Sequence, residues 1–521
     1  MIDNKKIVYL ILGLGFIMQA QAKTTERQFA PRQVTVGLQP DIVWEYFEKI
    51  TQIPRGSGNE KEIGDFVMNI AREHNLEVFR EPIGNVIVRK PASHERYAQS
   101  KMITFQGHLD MVCEKNQNIT HDFTKDPIKL VMNGKYLGAS GTTLGADNGV
   151  SVAMMLSIIS SKDLTHGPLE FLFTVDEEAG FGGVNNLMPT SLQGRALVNL
   201  DSEELGEFTV GCAGGSEVAG TLPVSFELLS GDHVGLNLSV TGLKGGHSGV
   251  DIHLGRANAL RIVGRWLTLL AKHQGRLISV EGGNKINALP RYAQAKVVVP
   301  QHQELSFKQA FNDLALVIAQ EHKNTDAGMT IVFEHHEHTS QVMSSDAQQK
   351  VEQLLNTIPH GVMRMSDDIP GLVETSTNLA YISTTLTTGS NIVIKTKQRS
   401  LVETGRIDIA CAVKDAMHAV GAHAVVGEGY PGWKPELLSP VLQAAQKTYE
   451  RLYGSKPQIK AIHAGLECGK IGEHIPGMDM MSCGPTILDA HSPDERVDTE
   501  SVGIFWNFLT NFLTDIAEKI N

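Results

Sequence analysis

The chemistry in this 521-residue chain lies in acidic side chains and histidines that recur at the ends of apolar runs. The first group closes the run Ile103-Thr104-Phe105-Gln106-Gly107-His108-Leu109-Asp110. In an extended chain, side chains two apart share a face, so Asp110 can hold the His108 imidazole in one tautomer while the free ring nitrogen binds a cation. Three acidic patches follow: Asp147 in Gly145-Ala146-Asp147-Asn148-Gly149, Glu177 and Glu178 after Phe173-Thr174-Val175-Asp176, and Asp201 in Asn199-Leu200-Asp201-Ser202-Glu203. His491, in Ala490-His491-Ser492-Pro493-Asp494-Glu495, supplies another imidazole.

Each of these has a plain structural alternative: Asp147 as a helix N-cap, Asp201 as a loop carboxylate, His108 as a core imidazole. Together they mean more. If the strands are neighbours, Asp110, Asp147, Glu177, Glu178 and Asp201 converge, and ionised carboxylates taken out of water cost several kcal/mol each unless cations join them. Two divalent ions would resolve the conflict. Carboxylates with two imidazoles suit zinc, with manganese or cobalt also fitting, and the lack of cysteine ligands argues against a structural zinc knuckle. The plausible sharing has Asp147 bridging both ions, His108 and Asp201 on one, and Glu178 and His491 on the other. Such ions lower the pKa of a water between them from ~16 towards ~7. Glu177, left unligated beside a ligand, is placed to take its proton.

The elements that must position these residues can be read from hydrophobic period. Residues 42–50 and 60–73 are spaced as helices, with Ile63, Phe66, Val67 and Ile70 on one stripe. Residues 86–88 and 102–106 are predicted strands, the second β-branched and aromatic enough to be central, which puts His108 at a strand's C-terminal end, where open α/β sheets place ligands. A buried helix should begin near Asn148, and 169–175 and 196–200 should be buried strands. Neighbours on a strand point to opposite faces, so the strand must end near Asp176 for Glu177 and Glu178 to reach one site, leaving 177–183 as a glycine-rich turn.

From about residue 211 the texture becomes an antiparallel α+β rhythm: strands at 236–240, 293–299 and 330–333, helices at 258–272 and 307–319, and a second such set over 344–397. This predicts a domain inserted into the first, with division at 23–210, 211–404 and 405–521. The first domain resumes near Arg406 and carries a helix at 441–452, capped by Ser439, with Pro440 at its first position and Gly454 at its end. A last apolar helix covers 504–516.

The N-terminus carries Lys5 and Lys6, an apolar stretch at 7–18 and then Ala20-Gln21-Ala22. This predicts a cleavable secretory signal over 1–22, too short for a membrane anchor, so an exported chain, periplasmic or secreted, with 23–39 as an exposed arm. The net charge of −12 argues against a nucleic-acid partner. Five cysteines, Cys113, Cys212, Cys411, Cys468 and Cys483, are an odd count without tight spacing and no disulfide framework, with Cys113 expected as a small core residue.

In this order, the motifs resemble the M20 family of metallopeptidases, in its aminoacyl-histidine dipeptidase branch. Gly245-Gly246-His247-Ser248-Gly249 and His463-Ala464-Gly465-Leu466-Glu467-Cys468-Gly469 add to the match, which covers nearly the whole mature chain. The resemblance implies an α/β zinc-exopeptidase catalytic domain, with a mixed central sheet flanked by helices, plus an inserted α+β lid and dimerisation domain. It implies the metal sharing given above, Asp110 as the orienter of His108, and Glu177 as general base and then acid. His247 matches a lid histidine that stabilises the oxyanion, in many relatives from the partner subunit of a homodimer. Asn287 and Arg399 match substrate-holding positions, although Arg399 could equally be a solvated strand-end charge. His463 and Glu467 are expected to border the pocket for the C-terminal residue, with a structural loop role as the alternative. His335, His336 and His338 lie outside the motifs and are expected on a solvated edge.

The expected activity is hydrolysis of dipeptides, of the Xaa-His, carnosine-like kind, by a two-zinc exopeptidase. The alternatives are another M20 activity (carboxypeptidase, tripeptidase or N-acyl-amino-acid deacylase) and a catalytically silent periplasmic peptide- or metal-binding protein.

Overall fold

The computed structural model describes residues 27–337, 341–385 and 390–518. Among them, eight strands form one mixed sheet in the order Glu77–Arg80, Val86–Lys90, Leu169–Thr174, Ile103–His108, Ala196–Asn199, Asp479–Ser482, Glu207–Cys212, Gln458–Ile462. The strand Ile103–His108 is fully buried and runs parallel to both neighbours, Leu169–Thr174 and Ala196–Asn199. Three chain segments therefore leave the sheet at one edge, and each leads into an acidic motif.

Helices Asp41–Ile50, Lys61–Glu73, Ala146–Ser160 and Thr499–Glu518 supply Trp44, Phe47, Val67, Met154, Phe505 and Phe508 to one large core with this sheet. The helix Ala146–Ser160 is buried on nearly every side, which its continuous apolar sequence requires. Lys90 Nζ donates to the carbonyls of Ile158, Ile159 and Ser161 and so closes the C-terminal end of this helix.

A second antiparallel sheet, of nine strands among the described residues, has its own core of Leu238, Val263, Trp266, Phe311, Leu354, Ile394 and Val413. Alternation along Asn391–Ser400 sends Ile392, Ile394, Thr396 and Gln398 to one face and Lys395, Lys397 and Arg399 to the other. This sheet reaches further along the chain than residue 404. The strand His423–Val426 pairs with Gly214–Pro223, and the helix Glu403–Ala419 packs Val413 and Met417 into the same core.

Several smaller expectations meet a different outcome. Residues 27–39 are mostly exposed, as expected, but they are pinned, because Glu48 accepts the N–H groups of Gln33, Val34 and Thr35 and the Thr35 hydroxyl. Cys113 is exposed, and all five cysteines are free thiols. His335 ends an edge strand and is largely exposed, while His338 lies outside the described residues. Residues 1–22 also lie outside them. No described helix is long and apolar enough to cross a membrane.

Candidate active site

His108 ends its strand 1% exposed, with Nε2 3.0 Å from Asp147 Oδ1 and 3.2 Å from Asp201 Oδ1. The other oxygen of Asp147 is 3.1 Å from His491 Nε2, which is also 3.1 Å from Glu178 Oε2. One carboxylate thus divides its two oxygens between two imidazoles, and each imidazole faces a further carboxylate. Local backbone makes this possible. Asp147 and Asn148 have non-helical torsions at the mouth of the helix Ala146–Ser160, and His491 adopts φ 63° in a tight turn. The Asn148 amide donates to the Leu200 carbonyl and to Asp201 Oδ1 at 2.8 and 2.9 Å, tying the helix to the third acidic motif. Only glycine fits at position 107, since a Cβ there would lie 2.3 Å from Asn148 Oδ1.

Asp176 turns the chain out of the sheet at φ 57°, and Glu177–Gly180 forms a short helical turn. This breaks strand alternation and lets Glu177 and Glu178 sit at one site. Asp110 anchors the turn: its two oxygens accept the N–H groups of Glu177 and Glu178 at 3.1 Å each, one accepts the Ser57 hydroxyl at 2.7 Å, and one stands 3.4 Å from His108 Nδ1. Burial pushes the Asp110 carboxyl up, but His108 and these donors bring it down to about 2. Burial pushes the Glu177 carboxyl well above its usual range, with the neighbouring carboxylates adding to the rise.

The donor set fits divalent cations. Two donors on a tetrahedral ion with bonds of about 2.0–2.1 Å stand about 3.3 Å apart, and the four imidazole–carboxylate separations here are 3.0–3.2 Å. Ligand atoms of His108, Asp147 and Glu178 all lie within 4.8 Å of one another. Glu178 Oε1 is buried without a hydrogen-bond partner, an oxygen that a cation would satisfy. The hydrogen bonds to Asp147 and Glu178 raise the His491 imidazole to about 11, which shows how strongly the surrounding carboxylates favour a positive charge beside them.

A second cluster sits on the other sheet. His247 Nδ1 accepts the N–H of Val250 at 3.1 Å and of Gly249 at 3.3 Å. Burial, and then Arg399, push His247 down to about 4, so the ring is neutral and carries its one proton on Nε2. That N–H stands 3.1 Å from Arg399 Nη2, also a donor. Arg399 is 4% exposed and its Nη1 donates to the Tyr430 hydroxyl at 3.1 Å. The Tyr430 ring meets Phe181 edge-on at 5.6 Å, and Phe181 closes the turn that bears Glu177 and Glu178. His463 is buried with Nε2 2.7 Å from Ser376 Oγ, on the strand beside Arg399. Asn287 is exposed, and its carbonyl accepts the N–H of Ser248.

Glu467 is placed otherwise than expected. It is fully buried, accepting hydrogen bonds from Gln106 Nε2 at 2.6 Å and Thr174 Oγ1 at 2.8 Å, and burial pushes it up to about 8, with Asp201 and Asp110 adding to the rise. With no exposed surface it borders no pocket for a side chain. Spacing alone did not single out Ser57, Tyr430, Phe181 or Arg55, because each meets the site only through tertiary contact.

Fold and site define an α/β enzyme of the metallopeptidase type, with a carboxylate–imidazole cluster at the C-terminal edge of its main sheet. Residues 104–515 match the peptidase family M20/M25/M40, and the chain belongs to that family. It is 38% identical over 483 residues to the cytosol non-specific dipeptidase of Escherichia coli, covering 92% of this chain and 99% of the relative. The aminoacylhistidine dipeptidase of Vibrio alginolyticus superposes with a TM-score of 0.84 at 38% identity, over 92% of this chain and 98% of that one. The aminopeptidase PepT of Bacillus cereus shares the fold, with a TM-score of 0.56 at 17% identity over 92% of this chain and 100% of that one. The E. coli relative, matched along nearly its whole length, is a cytosolic enzyme, which overturns the signal peptide and the periplasmic or secreted location expected from residues 1–22.

Proposed function

We propose that this peptidase cleaves dipeptides, with Xaa-His (aminoacyl-histidine) substrates among them, and that it does so with two divalent ions, zinc by donor chemistry. The observation that carries this reading is the Asp147 carboxylate, which turns one oxygen to His108 and the other to His491. Asp147 would bridge, His108 and Asp201 would hold one ion, and Glu178 and His491 the other; manganese or cobalt would suit the same donors.

When bound, such ions polarise the scissile carbonyl and acidify water. Glu177 takes the proton from the attacking water and delivers it to the leaving amine. Asp110 keeps Glu177, Glu178 and His108 in register. The Nε2–H of His247 donates to the oxyanion that develops at the carbonyl. Arg399 offers its fork to the substrate carboxylate, with Tyr430 holding one arm and His463 packed alongside. Asn287 belongs to this face as a further substrate contact.

The division at 23–210, 211–404 and 405–521 carries forward as a catalytic body interrupted by a lid. The pairing of His423–Val426 with Gly214–Pro223 favours a lid end near residue 426. A homodimer through the lid is part of the same proposal. Zinc content per chain, measured with a panel of Xaa-His and non-histidine dipeptides with and without chelator, tests the reading. Chelator-sensitive release of histidine supports it; a metal-bound protein that turns over no dipeptide would leave a binding protein instead.

A further inference from the structure

Arg55 and Glu495 are charged side chains only 2% and 3% exposed, and neither belongs to the ligand set. Arg55 Nη1 donates to the carbonyls of Leu109 and Asp110 at 2.9 and 2.7 Å, just beyond His108, and Nη2 donates to the carbonyl of Gly145. Glu495 grips the same loop from its other side. Its Oε2 accepts the N–H groups of Leu144 and Gly145 at 2.7 and 2.9 Å, and Oε1 accepts that of Asp147 at 3.2 Å. The segment 144–147 is therefore held by its carbonyl side to a buried cation and by its N–H side to a buried anion. The same cation also holds the chain that follows His108. Gly145, at φ 71°, and Gly149 leave the space required, since a Cβ at either would lie 2.5 or 2.6 Å from Arg55 Nη2.

We propose that Arg55 and Glu495 are positioning residues that fix the separation of His108 and Asp147, and through it the affinity of the site for its cations. This rests on the assignment of those two residues as metal ligands. The guanidinium is suited to the task because its two terminal nitrogens reach two separate segments, Nη1 the carbonyls of Leu109 and Asp110 and Nη2 that of Gly145, whereas an ammonium donates from a single nitrogen. Removing either partner leaves buried carbonyls or N–H groups unpaired and strands the opposite charge.

The test uses the full-length protein stripped of metal, then titrated with zinc against a chromophoric chelator, alongside the melting temperature of the metal-free form. R55K and E495Q are compared with K90A, which frees three carbonyls at the far end of the same helix without touching the ligand loop. R55K and E495Q are expected to weaken zinc binding about 10- to 100-fold, with kcat recovering at excess zinc. K90A should lower the melting temperature and bind zinc as the wild type does. Should R55K fail to fold, E495Q carries the same comparison. Wild-type zinc affinity in folded R55K or E495Q, with only a K90A-like loss of stability, would overturn the proposal. A wild-type protein that binds no zinc would overturn the ligand assignment, and the clamp with it.

Discussion

Asp110 accepts the backbone N–H of Glu177 at 3.1 Å, so the residue that faces His108 also fixes the turn that bears the free carboxylate. An asparagine there keeps one acceptor oxygen and turns its amide against the second N–H. Asp110→Asn should therefore lower kcat about 10- to 100-fold, the usual cost of losing a partner behind a metal ligand. Ser57→Ala, which removes one hydrogen bond to Asp110, should cost less. Steady-state kinetics on one dipeptide, with zinc content measured in parallel, checks both.

Glu177→Gln keeps shape and the backbone bond to Asp110 but cannot carry the proton. Turnover should fall roughly 10²- to 10⁴-fold while metal content stays at the wild-type level. Wild-type kcat in this variant would assign proton transfer to another group.

Arg399 and His247 should separate kinetically. Arg399→Lys loses the fork and should raise KM for dipeptides with a free C-terminal carboxylate, while KM for their amides should change little. His247→Asn removes an oxyanion donor and should lower kcat by about 10²- to 10³-fold. Equal effects of both changes on KM alone would place His247 in binding rather than catalysis.

Burial, and then the charge of Arg399, hold the His463 imidazole down at about 3, far below its unfolded value near 6.5. The unfolded chain therefore takes up a proton that the folded chain refuses. This group's contribution is intact above about pH 6.5 and is lost on acidification towards pH 3, at about 1.4 kcal/mol per pH unit. His463→Gln, which can still bond Ser376, should flatten the fall of melting temperature over that window relative to wild type. Parallel profiles from pH 7 to 4 would show that His463 is not the group responsible.

The fold class and the ligand candidates were legible in the sequence because both follow from local order. The apolar run ending at His108 marks a central strand, and the need for Glu177 and Glu178 to share a site required a turn, which Asp176 makes at φ 57°. The helices 440–453 and 499–518 were likewise visible in their periodicity and, for the first, its cap and proline. Other features depend on residues far apart in the chain. The lid sheet runs to Val426 because a strand there pairs with residues some 200 positions earlier, a pairing no local pattern announces. Glu467 stands in a motif with His463, yet the short helix Glu467–His474 turns its carboxyl inward to Gln106 and Thr174. Arg55 and Glu495 lie 440 positions apart and meet only across the Gly145 loop. Sequence fixes which side chains can bind a cation or move a proton; hydrogen bonds to backbone groups, available only after the chain has folded, decide where those side chains stand.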